Sequence, residues 1–262
     1  MITVQGRDPL ELERSFAEVS RVLRDEIIEH YRARGEKLDT PAGRRTLDTN
    51  TTLAAQRGKL LLRLLAERGG PVDLRGLSVV DLGCGFGALS LYLATAGADV
   101  VGIDPKSERH AVGARVAARL RLAATFRRGW LEDLVLADEQ FDIAVLNNSL
   151  CYIVPRSERM RALRHTLRVL VPGGWLVTRN PSRMAPLDPF TGLPLVHQVP
   201  PALAARLLRR RTPPRSAVRL HTGGAASREL RRAGFTSVRR QRIDEKRWLP
   251  PRYQHHTARR PA

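Results

Sequence analysis

At 262 residues, with 42% hydrophobic residues, the chain can bury one sizeable core, and one domain with added segments fits better than two independent ones. No apolar run reaches the ~20 residues that span a bilayer, and the opening stretch MITVQGRDPLELERSF carries acids and no signal-type apolar region. The two cysteines, Cys84 and Cys151, exclude a disulfide framework and a metal-type spacing, so the expected setting is the reducing cytoplasm.

The formal net charge of +19 is uneven: residues 206–262 hold 17 basic against three acidic residues, which is +14 of the total. A cluster of that kind attracts phosphate on nucleic acid, on an anionic lipid surface or on a phosphorylated metabolite. With only four lysines among 45 basic residues, an arginine-biased composition that merely solvates a surface accounts for it equally well.

In chain order, Asp8 and Pro9 are a good helix start, a capping carboxylate followed by the residue favoured at the first helical position. Leu12, Phe16, Val19, Leu23, Ile27 and Tyr31 then recur every three or four residues, which predicts one face of an amphipathic helix ending near Gly35. Residues 36–50 are polar and read as a loop, and TTLAAQRGKLLLRLLAERGG reads as a second helix with a Gly-Gly stop. After Pro71 short apolar strands alternate with helical segments. The strands are LSVVDL (77–82), ADVVGI (98–103), TFRR (125–128), FDIAVLN (141–147) and WLVTRN after the turn VPGG; the helices fall over 87–96, 107–120 and 156–170. Continuous apolar strands separated by helices imply a parallel, doubly wound α/β sheet.

Prolines break this rhythm between residues 180 and 222, and a region that long reads as an inserted cap or substrate loop. AASRELRRAGF returns to a helix and TSVRRQRI to a strand, while the tail from Pro250 is basic, poorly patterned and expected to fray at its end.

The stretch VVDLGCGFG (79–87) ends a strand in glycines and opens a helix, which sets backbone and helix N-terminus against a ligand. Gly83, Gly85 and Ala88 satisfy the dinucleotide fingerprint, and Asp104 stands 21 positions after Gly83 at the end of the next strand, placed to grip ribose hydroxyls. A NAD-dependent oxidoreductase is therefore one reading. Asp81 argues for another. A carboxylate two residues before the first glycine faces a pyrophosphate unfavourably but suits the ammonium of an amino-acid moiety.

From here the sequence resembles the class I S-adenosylmethionine (SAM)-dependent methyltransferases of small-molecule type. VVDLGCGFG matches the family's first motif at every position, VVGIDP resembles its second-strand acidic motif, FDIAVLNNSLCYI its fourth strand and tip, and LRVLVPGGWLVT its helix, turn and fifth strand. The likeness covers about residues 55–180. It implies a Rossmann-like, mostly parallel seven-stranded sheet with N-terminal helices and a Pro-rich insertion after strand five. The corresponding division is an N-terminal helical segment on the substrate side (1–70), a SAM-binding core (71–180), the insertion as a substrate cap (181–222), and the C-terminal helix, last strands and basic tail of the same domain (223–262).

Carried over by position, the resemblance implies that Asp81, Gly83, Cys84 and Gly85 line the methionine part of SAM. It further implies that Asp104 bonds both ribose hydroxyls, that Pro105 lies beside the adenine, and that Asn147 faces the reacting methyl. Where the family often carries G-D-A-x-x-L to bind the adenine amino group, this chain reads GWLEDL. Either the Trp130 ring packs on adenine, or Glu132 or Asp133 meets the amino group with the Leu131 amide against the ring. Cys84 reads as a small packing residue, since nothing nearby in sequence would activate it. Arg57 either reaches the SAM carboxylate or is a solvated helix-face arginine.

Methyl transfer gains most from aligning the acceptor and excluding water, and needs a base only where the acceptor sheds a proton. No Asp/Asn-Pro-Pro-aromatic motif follows strand four; NNSL stands there, unlike the amino-directed DNA enzymes. Tyr152, Asp188, Phe190, His197 and Gln198 occupy acceptor-side places. His197 is the base candidate because it titrates near neutrality, with a packing histidine as its alternative; His165 lies mid-helix and reads as exposed.

The expected activity is methylation of a small or medium-sized metabolite at oxygen, with SAM as cofactor, no metal, and a phosphorylated or lipid-linked acceptor as the guess suggested by the basic segment. RNA is the less favoured partner, because residues 206–262 interleave only Phe235, Trp248 and Tyr253 as stacking platforms. Peripheral membrane contact, oligomeric state and a catalytically silent SAM-fold module stay open.

Overall fold

The computed structural model describes residues 9–188, 192–199, 218–243 and 250–262, together with Leu203 and Arg206. The first helix, α1 (Pro9–Ala33), buries Leu12, Phe16, Val19, Leu23 and Ile27, the stripe that the periodicity predicts. Its expected cap, Asp8, lies outside the described residues, as do Phe190 and Trp248. Residues 36–50 are not simply a loop: α2 (Pro41–Asn50) starts where Thr40 Oγ1 accepts from the Gly43 amide at 3.0 Å. A helix this short and polar, held to the core by Leu47, leaves almost no hydrophobic period to read. The third helix, α3 (Thr52–Ala66), buries Leu61, Leu62, Leu64 and Leu65.

The sheet has seven strands in the order β3-β2-β1-β4-β5-β7-β6. These are β1 (Ser78–Leu82), β2 (Asp99–Asp104), β3 (Ala124–Arg128), β4 (Phe141–Asn147), β5 (Leu170–Pro181), β6 (Thr236–Gln241) and β7 (Tyr253–Arg259). The first five pair in parallel, and β7 runs antiparallel between β5 and β6. Helices α4 (Ala88–Thr95), α5 (Ser107–Leu120) and α6 (Arg156–Val169) connect the parallel strands, and α7 (Gly223–Arg232) precedes β6. The turn VPGG sits inside β5, whose ladder with β4 shifts register between Phe141 and Ile143.

Strand alternation divides the core between the two faces. Val79, Val145 and Val177 join the cluster built with α1, α3, α4 and α5, while Val80, Leu82, Ala144 and Leu176 join the cluster under α6 and α7. On the second face Arg159 is fully buried; its Nε and Nη2 donate to the two Glu229 oxygens, each at 2.9 Å, and Nη1 donates to the Ile153 carbonyl at 2.8 Å. This pair locks α6 to α7. Beside it lies an enclosed space of about 20 Å³ lined by Thr178, Asn180, His221 and Gln254, the size of one water and too small for a substrate.

The tail from Pro250 is not without pattern in the fold: Tyr253–Arg259 form β7, and its last residues lie outside the sheet. Gln254, His255, His256, Thr257 and Ala258 are all buried in β7. A strand reading QHHTA gives no apolar alternation, and its place between β5 and β6 supplies the burial that its sequence does not announce. His256 Nε2 lies 3.1 Å from the Gly223 carbonyl and 3.0 Å from Ser227 Oγ.

Burial pushes both His255 and His256 down to about 4. They are neutral in the fold, whereas the unfolded chain takes up protons below its ordinary histidine value, so their contribution is present above pH ~6.5 and lost as pH falls toward about 4, on the order of 2–3 kcal/mol each. Urea unfolding is expected to show stability falling steadily from pH 7 to pH 4.5, and His256→Gln to flatten that slope. An unchanged slope in the variant contradicts this assignment.

Candidate active site

β1 and β4 are neighbours where the strand order reverses, and in open α/β sheets ligands bind in the crevice outside the strand ends at such a point. The glycine loop fills one wall of it. Gly83 and Gly85 have φ of +86° and +58°, in the left-handed region that other residues avoid. A Cβ on Gly83 would stand 2.6 Å from Ser149 Cβ, whereas one on Gly85 would meet nothing within 4 Å. The loop thus packs against the β4 tip at Gly83 and lies open at Gly85. The amides of Gly83 and Cys84 both donate to the Ile103 carbonyl, at 2.8 and 3.0 Å, which ties the loop to the end of β2.

Asp104 closes that tie. Its Oδ2 accepts from the Gly85 amide and its Oδ1 from the Lys106 amide, each at 2.9 Å. A carboxylate has about four lone-pair sites, so two remain for hydroxyl donors. Asp81 is buried under the loop and takes a hydrogen bond from Ser90 Oγ at 2.7 Å. Burial, with the nearby Asp104 charge adding to it, pushes Asp81 up to about 6. Burial and the same two carboxylates hold the Cys84 thiol well above its ordinary value, so it is a packing thiol.

The opposite wall is the tip of β4. Asn147 aligns with Arg179 of β5, and the Asn148 amide donates to the Arg179 carbonyl at 2.7 Å. Ser149 Oγ is buried against Gly83 with no protein partner among the described residues. On the β2 side Pro105 is half-buried, Trp130 is 54% exposed, and Leu131 turns inward, its side chain buried. Glu132 is half-buried and Asp133 exposed, in the short turn after Trp130.

Two acceptor-side residues meet in the insertion: His197 Nε2 lies 2.8 Å from Asp188 Oδ1, and Asp188 is buried. Gln198 instead donates to the Arg183 and Ala185 carbonyls, pinning the loop. Tyr152 is exposed beside the β4 tip, and His165 is half-buried on α6, away from the crevice. Arg57 is no solvated arginine. It donates to the Thr49 carbonyl at 3.0 Å, and burial lowers its pKa. Ser90, Ser149 and Arg179 escaped sequence reading: Ser90 reaches Asp81 from the first turn of α4, the β1–β4 pairing sets Ser149 against Gly83, and the β4–β5 pairing sets Arg179 beside Asn147.

Residues 79–174 match the family described as a methyltransferase domain. This core is similar to the class I SAM-dependent methyltransferase domains. The ubiquinone biosynthesis O-methyltransferase of Cereibacter sphaeroides is 34% identical over 119 residues, 44% of this chain and 47% of the relative. The chain thus spans about half the length of the curated relatives it matches.

Among solved structures, a SAM-dependent methyltransferase from Mesorhizobium loti superposes with a TM-score of 0.54 at 25% identity, covering 72% of this chain and 93% of that one. Magnesium protoporphyrin IX methyltransferase from Synechocystis PCC 6803, with bound S-adenosylhomocysteine (SAH), gives 0.56 at 20% identity, covering 90% and 93%; at that identity it shows the fold alone. The antiparallel β7 departs from the all-parallel order of the dinucleotide fold, which removes the main structural ground for a NAD reading.

The methyltransferase core stores one unfavourable charge. A carboxyl raised to about 6 in the fold costs stability above that pH, and the cost fades as pH falls toward the ordinary value of ~3.9. Asp81→Asn, which can still accept from Ser90, is expected to raise the unfolding free energy at pH 8 by about 1–3 kcal/mol and to leave it nearly unchanged at pH 4. Equal effects at both pH values would remove the charge from the explanation.

Proposed function

We propose that the chain transfers a methyl group from SAM to a hydroxyl oxygen of a small or medium-sized metabolite in the cytoplasm. The observation that carries this is the Asp104 carboxylate hydrogen-bonded to the Gly85 amide at a crevice open above Gly85. The fit rests on three features: glycines where a side chain would enter the loop, a carboxylate with spare acceptor capacity, and the unpartnered Ser149 hydroxyl.

When bound, SAM supplies an electrophilic methyl on a sulfonium whose charge is lost in the transfer. The backbone of Gly83, Cys84 and Gly85 holds the methionyl part, and Asp81 faces its ammonium. Asp104 accepts from the ribose hydroxyls; Pro105, Trp130 and Leu131 border the adenine, and Asn147 borders the reacting end. Tyr152 and Asp188 stand on the acceptor side, Asp188 acting through His197.

His197 takes the acceptor's hydroxyl proton at Nδ1, the nitrogen that Asp188 does not occupy. With Nε2–H donated to the buried carboxylate, the tautomer is fixed and the imidazolium is stabilised as it forms. The likeness to the ubiquinone biosynthesis O-methyltransferases supports oxygen as the target. The phosphorylated or lipid-linked acceptor suggested by the basic C-terminal segment belongs to the same proposal.

Methyl-labelled SAM added to cell extracts with the purified protein is expected to label small-molecule fractions and not RNA; label confined to RNA would overturn the acceptor class. Asp104→Ala and Gly85→Val are each expected to weaken SAH binding by about tenfold or more with the circular dichroism unchanged. Unchanged affinity in both would sink the cofactor assignment. His197→Asn is expected to lower kcat by roughly 10²–10⁴ while SAH affinity stays within about twofold. A full rate in that variant would remove His197 as the base.

A further inference from the structure

Beyond the cofactor loop, the face of the sheet that meets α3 carries an unusual set of polar side chains. Asn147, Arg179 and His255 stand side by side across β4, β5 and β7, in register and therefore on one face. Arg179 is buried, 7% exposed, with its guanidinium 3.5 Å from the centre of the Tyr253 ring. Its polar contacts are long and neutral: Asn147 Oδ1 at 3.4 Å and Asn148 Oδ1 at 3.3 Å. Arg57 approaches from α3, and Arg252 is a further charged neighbour. His255, 4% exposed, has both ring nitrogens without a partner among the described residues.

Among the described residues no carboxylate forms an ion pair with Arg57 or Arg179, although the chain forms such pairs elsewhere, including the buried Arg159–Glu229 pair. Burial, with the neighbouring Arg57 and Arg252 charges adding to it, lowers Arg179 to about 10 against the opposing effect of the Tyr253 hydroxyl. A buried, unpaired guanidinium is costly to keep and is retained where a ligand supplies the anion.

Given that the crevice holds SAM, the donor brings a single carboxylate, which Arg57 on the helix before β1 can meet. The half-buried Arg57 and the buried Arg179 therefore leave one anion to be supplied from elsewhere. We propose that Arg179, with His255 beside it, anchors a carboxylate or phosphate group on the methyl acceptor. The site is next to Asn147, at the reacting end of the crevice. Arg179 presents a planar fork suited to bidentate recognition of either anion, and Tyr253 keeps that fork flat by stacking on it. This makes the acceptor an acidic hydroxy compound, its acid group fixed by Arg179 and its hydroxyl left for methylation.

The test is calorimetry on the full chain saturated with SAH, titrated with benzoate, phenyl phosphate and the neutral benzamide. The wild type is expected to bind at least one of the two anions about tenfold or more tightly than benzamide. Arg179→Gln is expected to lose that preference while its SAH affinity stays within about twofold, and Arg179→Lys to recover part of it. Arg57→Gln is expected to weaken SAH instead.

Equal binding of all three probes to the wild type overturns the proposal without needing any variant to fold. So does a tenfold loss of SAH affinity in Arg179→Gln, which would make the donor's carboxylate the partner of Arg179. A wild type that binds no SAH fails at the earlier step, the reading of the crevice as a SAM site, and the two failures are thereby distinguishable.

Discussion

The hydrogen bond from the Gly85 amide to the Asp104 carboxylate is the interaction on which the crevice depends. β1 must end and reverse into α4 within a few residues, and the loop that does so turns its amides toward the end of β2. The Ile103 carbonyl takes two of them and Asp104 takes the third. The glycines are required by that geometry: positive φ at Gly83 and Gly85, a close approach to Ser149 at the first, and open space at the second. The same carboxylate also caps the start of α5 through the Lys106 amide, so cofactor loop, ribose side and second helix are set by one side chain.

Around this point the protein tolerates polar groups that its core does not balance. Asp81 is raised, and among the described residues Ser149 Oγ and both His255 ring nitrogens have no partner and Arg179 has no carboxylate. On the other face of the sheet the buried charge of Arg159 is met in full by Glu229 and two backbone carbonyls. The contrast is between these side chains and not between whole faces, since Asn180 Oδ1 and Gln254 Oε1 beside Arg159 also have no partner among the described residues. Satisfied polar networks rigidify, and unsatisfied ones concentrate where a ligand completes them.

The core was legible because its signals are local. A strand, a glycine turn and a helix start lie within residues 78–95, and β1, β2 and β4 each carry a nearly continuous apolar run. What escaped was non-local or polar. α2 offers one buried leucine, Leu47, among its described side chains, and β7 buries two histidines that no hydrophobic pattern marks. Arg179 reads as one arginine among many until β4 and β5 pair and place it beside Asn147. His197 and Asp188 were named separately, and only the closed loop shows them as a hydrogen-bonded pair.

The central claim is that the β1/β4 crevice holds a SAM-type ligand and not a dinucleotide. Calorimetric titration of the wild-type chain with SAH and, in parallel, with NAD tests it most directly. The account predicts saturable one-to-one binding of SAH and no detectable heat from NAD. Saturable binding of NAD with none of SAH would contradict it.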